Sequence, residues 1–235
     1  MRIFRNSIIW WLGNIAISLF LVFMNIKWVQ RGSIISLYQV YENAFSDLLI
    51  LCLVIPNFFL IVIKNIDLHM SINKLLMINS RTVWWKKLML NMVRICSIFS
   101  LTLLLPIGGV TLFFARNTRT ITSLVYFCFQ YISLAIIFMV ISSLIILIKL
   151  RWNQNILALF IVMMISFMPN IFSSIFRSYN IPTIGSIMAS SYSFQNTGDY
   201  YWLRHEMVCV LLTVIEGLII YWGKKRVKKQ DFYFK

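Results

Sequence analysis

Negative charge is nearly missing from this sequence: seven Asp and Glu stand against 22 Lys and Arg in 235 residues. The seven, Glu42, Asp47, Asp67, Asp199, Glu206, Glu216 and Asp231, are scattered, so no pair of carboxylates is available for general acid–base chemistry. Histidine is rarer still, with only His69 and His205. The four cysteines, Cys52, Cys96, Cys128 and Cys209, have no C-x-x-C spacing and fall in apolar runs. They read as small packing residues, and a metal site has almost no ligands to draw on. No G-x-x-x-x-G-K-[ST], H-E-x-x-H or G-x-S-x-G occurs. The chain therefore lacks the means to cradle nucleotide phosphates and is not expected to be an enzyme or to bind a cofactor of its own.

What fills the sequence instead is apolar. Hydrophobic residues make up 60% and charged ones 12%, and the mean hydropathy is +0.81. A soluble domain cannot expose that much apolar surface, so an integral membrane protein is expected. The periodicity and breakers predict an all-α fold of six transmembrane helices, at about 7–26, 44–63, 88–114, 121–148, 155–176 and 206–223. They form a single transmembrane domain over 1–235. Arg2 and Arg5 precede an apolar run longer than a signal-peptide core and without a small-residue cleavage site, which makes the first span an uncleaved one.

The formal charge of +15 sits at the span ends rather than on one polar face. That distribution suits anionic lipid headgroups, not nucleic acid. Sixteen of the 22 basic residues fall on one side of the predicted layout and six on the other. By the positive-inside rule both termini are cytoplasmic, and the basic tail from Lys224 to Lys229 is a headgroup anchor. Trp10, Trp11, Trp28, Trp84, Trp85, Trp152, Trp202 and Trp222 fall near predicted interfaces, where belt anchoring accounts for them. Pro56-Asn57 predicts a kink in the second span and Pro106 with Gly108-Gly109 a bent or loosened outer end of the third, while Pro169-Asn170 falls in the outer part of the fifth. Lys149–Trp152 reads as a short inner turn, and Arg177–Arg204 as the longest outer segment, with a short surface helix around Ile184, Ile187 and Met188. Asp47 reads as a solvated end-cap.

Glu216 is the acid well inside a span. A charge at that depth costs about 2.5–3.5 kcal/mol on insertion scales, so it must be neutral, paired or facing a cavity. Its readings are a hydrogen bond to Thr213 or to a neighbouring helix, or a polar point on a substrate path or subunit contact.

The polar interruption that still looks folded runs from Lys64 to Lys87. Leu68, Ile72, Leu75 and Leu76 recur on one helical face, with Asp67, His69, Ser71, Asn73 and Lys74 around the rest. Asn79-Ser80 breaks this pattern, and Ser80 is placed to cap a new helix at Arg81, which opens with Trp84-Trp85-Lys86-Lys87. Leu75-Leu76, then Ser80-Arg81 and a following lysine, resembles the motif after the second span of ABC-2 type exporter permeases.

That resemblance implies a coupling role for Leu68, Ile72, Lys74, Leu75, Leu76, Ser80 and Arg81: an amphipathic coupling helix between helices 2 and 3, gripped by a separate ATPase. It further implies cytoplasmic ABC ATPase subunits that hold the ATP and Mg, and a second permease copy or homologue. The short length and Ile/Asn/Lys-rich usage resemble the permeases of bacteriocin and lantibiotic immunity and of peptide export in Gram-positive bacteria. On that resemblance the substrate is an amphipathic or antimicrobial peptide and the location the cell membrane. Export of sodium or another small solute by the same fold, and a non-transporting immunity or assembly factor that binds a peptide, stand as alternatives.

Overall fold

In the computed structural model, the residues described are 11–24, 44–70, 80–114, 121–175, 185, 188 and 200–229. Among them the chain is helical, with no strand. The elements are α1 (Trp11–Met24), α2 (Asp47–Met70), α3 (Arg81–Phe114), α4 (Ile121–Trp152), α5 (Asn155–Ile175) and α6 (Tyr200–Lys229). Five of them, α2 to α6, are long and apolar enough to cross a membrane, which makes this a multi-pass membrane protein. α1 is the described part of the span predicted at 7–26.

Several boundaries differ from the sequence expectation, each for a local reason. Lys149–Trp152 is not a turn; it completes the last turn of α4. The chain reverses at Asn153-Gln154, where Asn153 takes φ 51° and its N–H bonds the Lys149 carbonyl at 2.8 Å. This is the left-handed helix stop, for which asparagine is the usual substitute for glycine. Likewise α6 starts at Tyr200, ahead of the span start predicted near 206. α2 absorbs its proline with a π-helical turn at Ile50–Val54, just ahead of Pro56. Pro56 has no N–H for the preceding turn and its ring crowds the Cys52 carbonyl, so the backbone widens there. Pro106 and Pro169 lie inside α3 and α5, both of which continue past them.

The helices alternate in direction, as the pairing of residues along each interface shows. α2 and α3 run antiparallel, because Phe58 meets Phe99 (centroids 4.9 Å apart) while His69 meets Trp84. α3 and α4 do the same through Phe99–Phe138 at 4.8 Å and Cys96–Ser142. α4 and α6 run parallel, with Ser133 beside Cys209, Ser143 beside Glu216 and Leu147 beside Gly223. One end of the bundle, its base, therefore collects the ends of α2, α4 and α6 and the starts of α3 and α5. The core at mid-height is the tilted and edge-on cluster of Phe58, Phe99 and Phe138, which joins α2, α3 and α4. Such ring pairs add about 0.5–1.5 kcal/mol each beyond the area they bury.

α1 is held differently. Its buried Asn14 and Ser18 lie one turn apart and point at α3. Asn14 Nδ2 donates to Thr102 Oγ1 at 2.5 Å and to the Phe99 carbonyl at 3.5 Å; Ser18 Oγ donates to the Leu103 carbonyl at 3.0 Å. These bonds fall in the turn before Pro106, whose missing N–H leaves the helix ladder incomplete.

Candidate functional site

The connector between α2 and α3 is the place to which the motif pointed, and its two ends are described while its middle is not. Ile72, Lys74, Leu75 and Leu76 lie outside the described residues. Leu68 does not open a separate helix; α2 continues through it to Met70, and Leu68 sits half-buried at the base. On the far side, Ser80 caps α3 as anticipated: its Oγ accepts the Val83 N–H at 3.2 Å and its carbonyl accepts the Trp84 N–H at 3.1 Å. Arg81 is the first residue of α3 and is partly exposed.

Three polar ties fasten this joint to the bundle. Trp84 Nε1 donates to the His69 carbonyl at 2.9 Å, which closes the connector by linking residues on either side of it. Asn91 donates to Asn65 Oδ1 at 2.6 Å and lies 3.1 Å from His69 Nε2. Asp67 forms an ion pair with Lys149 of α4, and Lys149 Nζ also donates to Asn155 Oδ1 of α5 at 2.7 Å. The lysine side chain is 4% exposed and the aspartate 52%, so the pair sits at the edge of the packed interior. Lys149 thus links one aspartate on the final turns of α2 to the start of α5.

The two tryptophans that open α3 are not belt anchors. Trp84 and Trp85 are both buried in protein. Trp85 lies against Gly223 of α6 so closely that a β-carbon there would collide with the indole ring. By contrast Trp152 and Trp222 are exposed near the base, as a belt requires.

Glu216 is buried in α6 and takes the neighbouring-helix partner: Ser143 Oγ of α4 donates to its Oε1 at 2.6 Å. Thr213 is not that partner, since its hydroxyl bonds the Cys209 carbonyl at 2.8 Å. Glu216 Oε2 has no hydrogen-bond partner among the described residues. Ten residues separate Glu216 from Arg226, about 15 Å of helix, which puts the carboxyl near the middle of the span. Cys96 joins this layer through Ser142 at 3.7 Å. Cysteine packing otherwise departs from the expectation: Cys96 is buried, Cys209 is intermediate, and Cys52 and Cys128 are exposed on their helices.

At the opposite end of the bundle, Asp47 is not a solvated cap. Its Oδ1 accepts the Gly185 N–H at 2.7 Å, with glycine required because a β-carbon would strike the Phe45 carbonyl and Asp47 itself. Met188 is fully buried rather than lying on the surface, and its carbonyl accepts a hydrogen bond from buried Gln130. Ile184 and Ile187 lie outside the described residues.

Sequence reasoning missed the Asp67–Lys149–Asn155 triad, although it carried a faint signal. Lys149 follows a long apolar run, and Asp67 is one of very few acids; pairing them across 82 positions needs the fold. Chemically, the described residues offer no group of three or more His, Cys, Asp or Glu placed to hold a metal ion. At the base, α2 and α3 are tied to each other through Trp84–His69 and Asn91–Asn65, and to α4 and α5 through Asp67–Lys149–Asn155. No family model, curated protein or solved structure matches the chain.

Proposed function

We propose that the chain is the membrane-spanning permease subunit of an ATP-driven exporter, with its ATPase on a separate polypeptide. The observation that carries this reading is the joint framing residues 71–79. A force applied to that connector enters α2 and α3 at once through Trp84–His69 and Asn91–Asn65, and α4 and α5 through Asp67–Lys149–Asn155. The motif-like Leu75-Leu76 and Ser80-Arg81 sit within or beside it. In this reading all six spans cross the membrane, both termini and the connector are cytoplasmic, and the connector forms an amphipathic helix whose apolar face docks on the ATPase. A second permease copy or homologue completes the transporter, in the cell membrane of a Gram-positive bacterium. The cargo is an amphipathic or antimicrobial peptide.

The energy scale is adequate. Reversing a 1:99 conformational equilibrium takes about 5.5 kcal/mol of differential binding. Burying Ile72, Leu75 and Leu76, the aliphatic residues of the expected face that lie beyond α2, against a partner supplies about 4.5–9 kcal/mol before ordering costs.

Affinity purification of the full chain from its native membrane tests the proposal. The expected result is co-purification of an ATP-binding-cassette ATPase, abolished by Leu75→Asp with Leu76→Asp while the permease itself remains folded. A connector that reacts only with an external, membrane-impermeant thiol reagent, when Ser71→Cys is introduced, would overturn it. Protection against a peptide that persists with no ATPase present would instead identify a non-transporting immunity factor.

A further inference from the structure

Between α4, α5 and α6 at the base lies an open groove of about 510 Å³. Its floor is aliphatic: Leu144, Leu147 and Ile148 from α4, and Ile161 and Ile165 from α5. Trp152 and Trp222 stand at its sides, and Arg151, Lys225 and Arg226 form its rim. Among the described residues no acidic side chain lines it, and the buried Lys149 is already committed to Asp67. We infer that this groove is a binding site for one glycerophospholipid with a net negative headgroup, held by its phosphate at Arg151, Lys225 and Arg226 and by an acyl chain along the α4–α5 floor.

Four features point to that chemistry. The three cations cluster at one end of the groove and the aliphatic floor extends from them, which is the polarity of a lipid and not of a soluble anion. From Arg151 back to Leu144 the floor covers seven residues, about 10 Å along the helix. This is a depth an acyl chain reaches from the headgroup level. Arg151 is also pre-positioned, because its guanidinium lies 4.8 Å from the Trp152 ring centroid, and a stacked guanidinium presents its donors edge-on to phosphate. Finally, the groove volume falls in the range of small-molecule sites, about 300–1,000 Å³. It therefore takes part of a lipid while the rest stays in the bilayer. Basic residues at helix C-termini also complement the helix dipole, but the dipole does not account for two helices delivering theirs to one apolar slot. The inference is independent of the exporter reading, since it uses neither the connector nor an ATPase.

Native mass spectrometry of the purified full chain in detergent, with phosphatidylglycerol and phosphatidylcholine of equal chain length, provides the test. Each basic residue near an anionic surface contributes about a fivefold gain in affinity, and three together on the order of a hundredfold. The expected result is one phosphatidylglycerol retained per chain in preference to phosphatidylcholine. That preference disappears in Arg151→Gln/Lys225→Gln/Arg226→Gln and persists in the charge-matched Lys64→Gln/Lys86→Gln/Lys87→Gln. A second variant, Ile165→Trp, fills the floor at an exposed position and leaves the rim charges intact; it is expected to release the lipid. Equal retention of the two lipids by the wild type overturns the proposal, as does equal loss in the two triple variants. So does a lipid-free dimer that covers the groove with a second copy.

Discussion

Removing Asp67 should cost more than removing its partner, and the asymmetry follows from where each side chain sits. Lys149 is 4% exposed, with Asn155 Oδ1 as its other acceptor at 2.7 Å; Asp67 is 52% exposed. Asp67→Ala leaves a buried ammonium with one neutral acceptor. The lost charge-assisted hydrogen bond is worth about 1.5–3 kcal/mol. The larger penalty of about 3–5 kcal/mol for breaking a fully buried pair is discounted here because the carboxylate keeps half its water. An expected cost of about 2–3 kcal/mol results. Lys149→Met keeps the aliphatic stem, deletes the charge and leaves Asp67 to solvent, so it should cost under about 1 kcal/mol. The double variant should then resemble Lys149→Met alone, which gives a coupling of about 2 kcal/mol, or roughly thirtyfold in the folding equilibrium. Reversible unfolding in mixed micelles, followed by the near-ultraviolet signal of the buried tryptophans, measures all four corners of the cycle. Additive costs, or an Asp67→Ala no more damaging than Lys149→Met, would refute the argument that the buried lysine depends on this acid.

Three further outcomes are open to the same assay. Gly223→Ala puts a methyl into the Trp85 ring and should destabilise by about 1–3 kcal/mol, whereas Gly217→Ala, where a β-carbon meets nothing within 4 Å, should be neutral; equal effects would show that Trp85 is not seated on α6. Asn153→Val forces a β-branched residue to φ 51° and should cost about 1–2 kcal/mol, while Asn153→Gly should be neutral or slightly stabilising. Ser80→Ala removes the side-chain cap of α3 and should cost about 0.5–2 kcal/mol, with Ser80→Asp restoring most of it.

The sequence made the helical class plain, because runs of about 20 apolar residues have few other uses. The Ser80 cap was also legible, since a serine ahead of Arg81 at a break in apolar periodicity is a local signal. Helix ends proved harder. Lys149-Leu150-Arg151-Trp152 looks like a polar turn, yet Lys149 is drawn inward by an acid 82 positions earlier. The paired tryptophans misled for a related reason: Trp84-Trp85-Lys86-Lys87 has the composition of an interface, but composition does not say which face of α3 meets α6. Of the seven residues expected to couple to an ATPase, Leu68, Ser80 and Arg81 are described, and they mark the two flanks of the connector. Glu216 was singled out by cost alone, whereas its partner Ser143, 73 positions away, required the α4–α6 register.

The attachment of α1 has a bearing on how the protein is made. Asn14 and Ser18 find their acceptors on residues 85 or more positions later, at Phe99, Thr102 and Leu103. Until that stretch leaves the ribosome, the first helix carries an amide and a hydroxyl that hydrocarbon does not solvate. α1 is therefore expected to dock only after α3 has been synthesised. Chains truncated before Leu103 should leave it accessible to water-borne reagents.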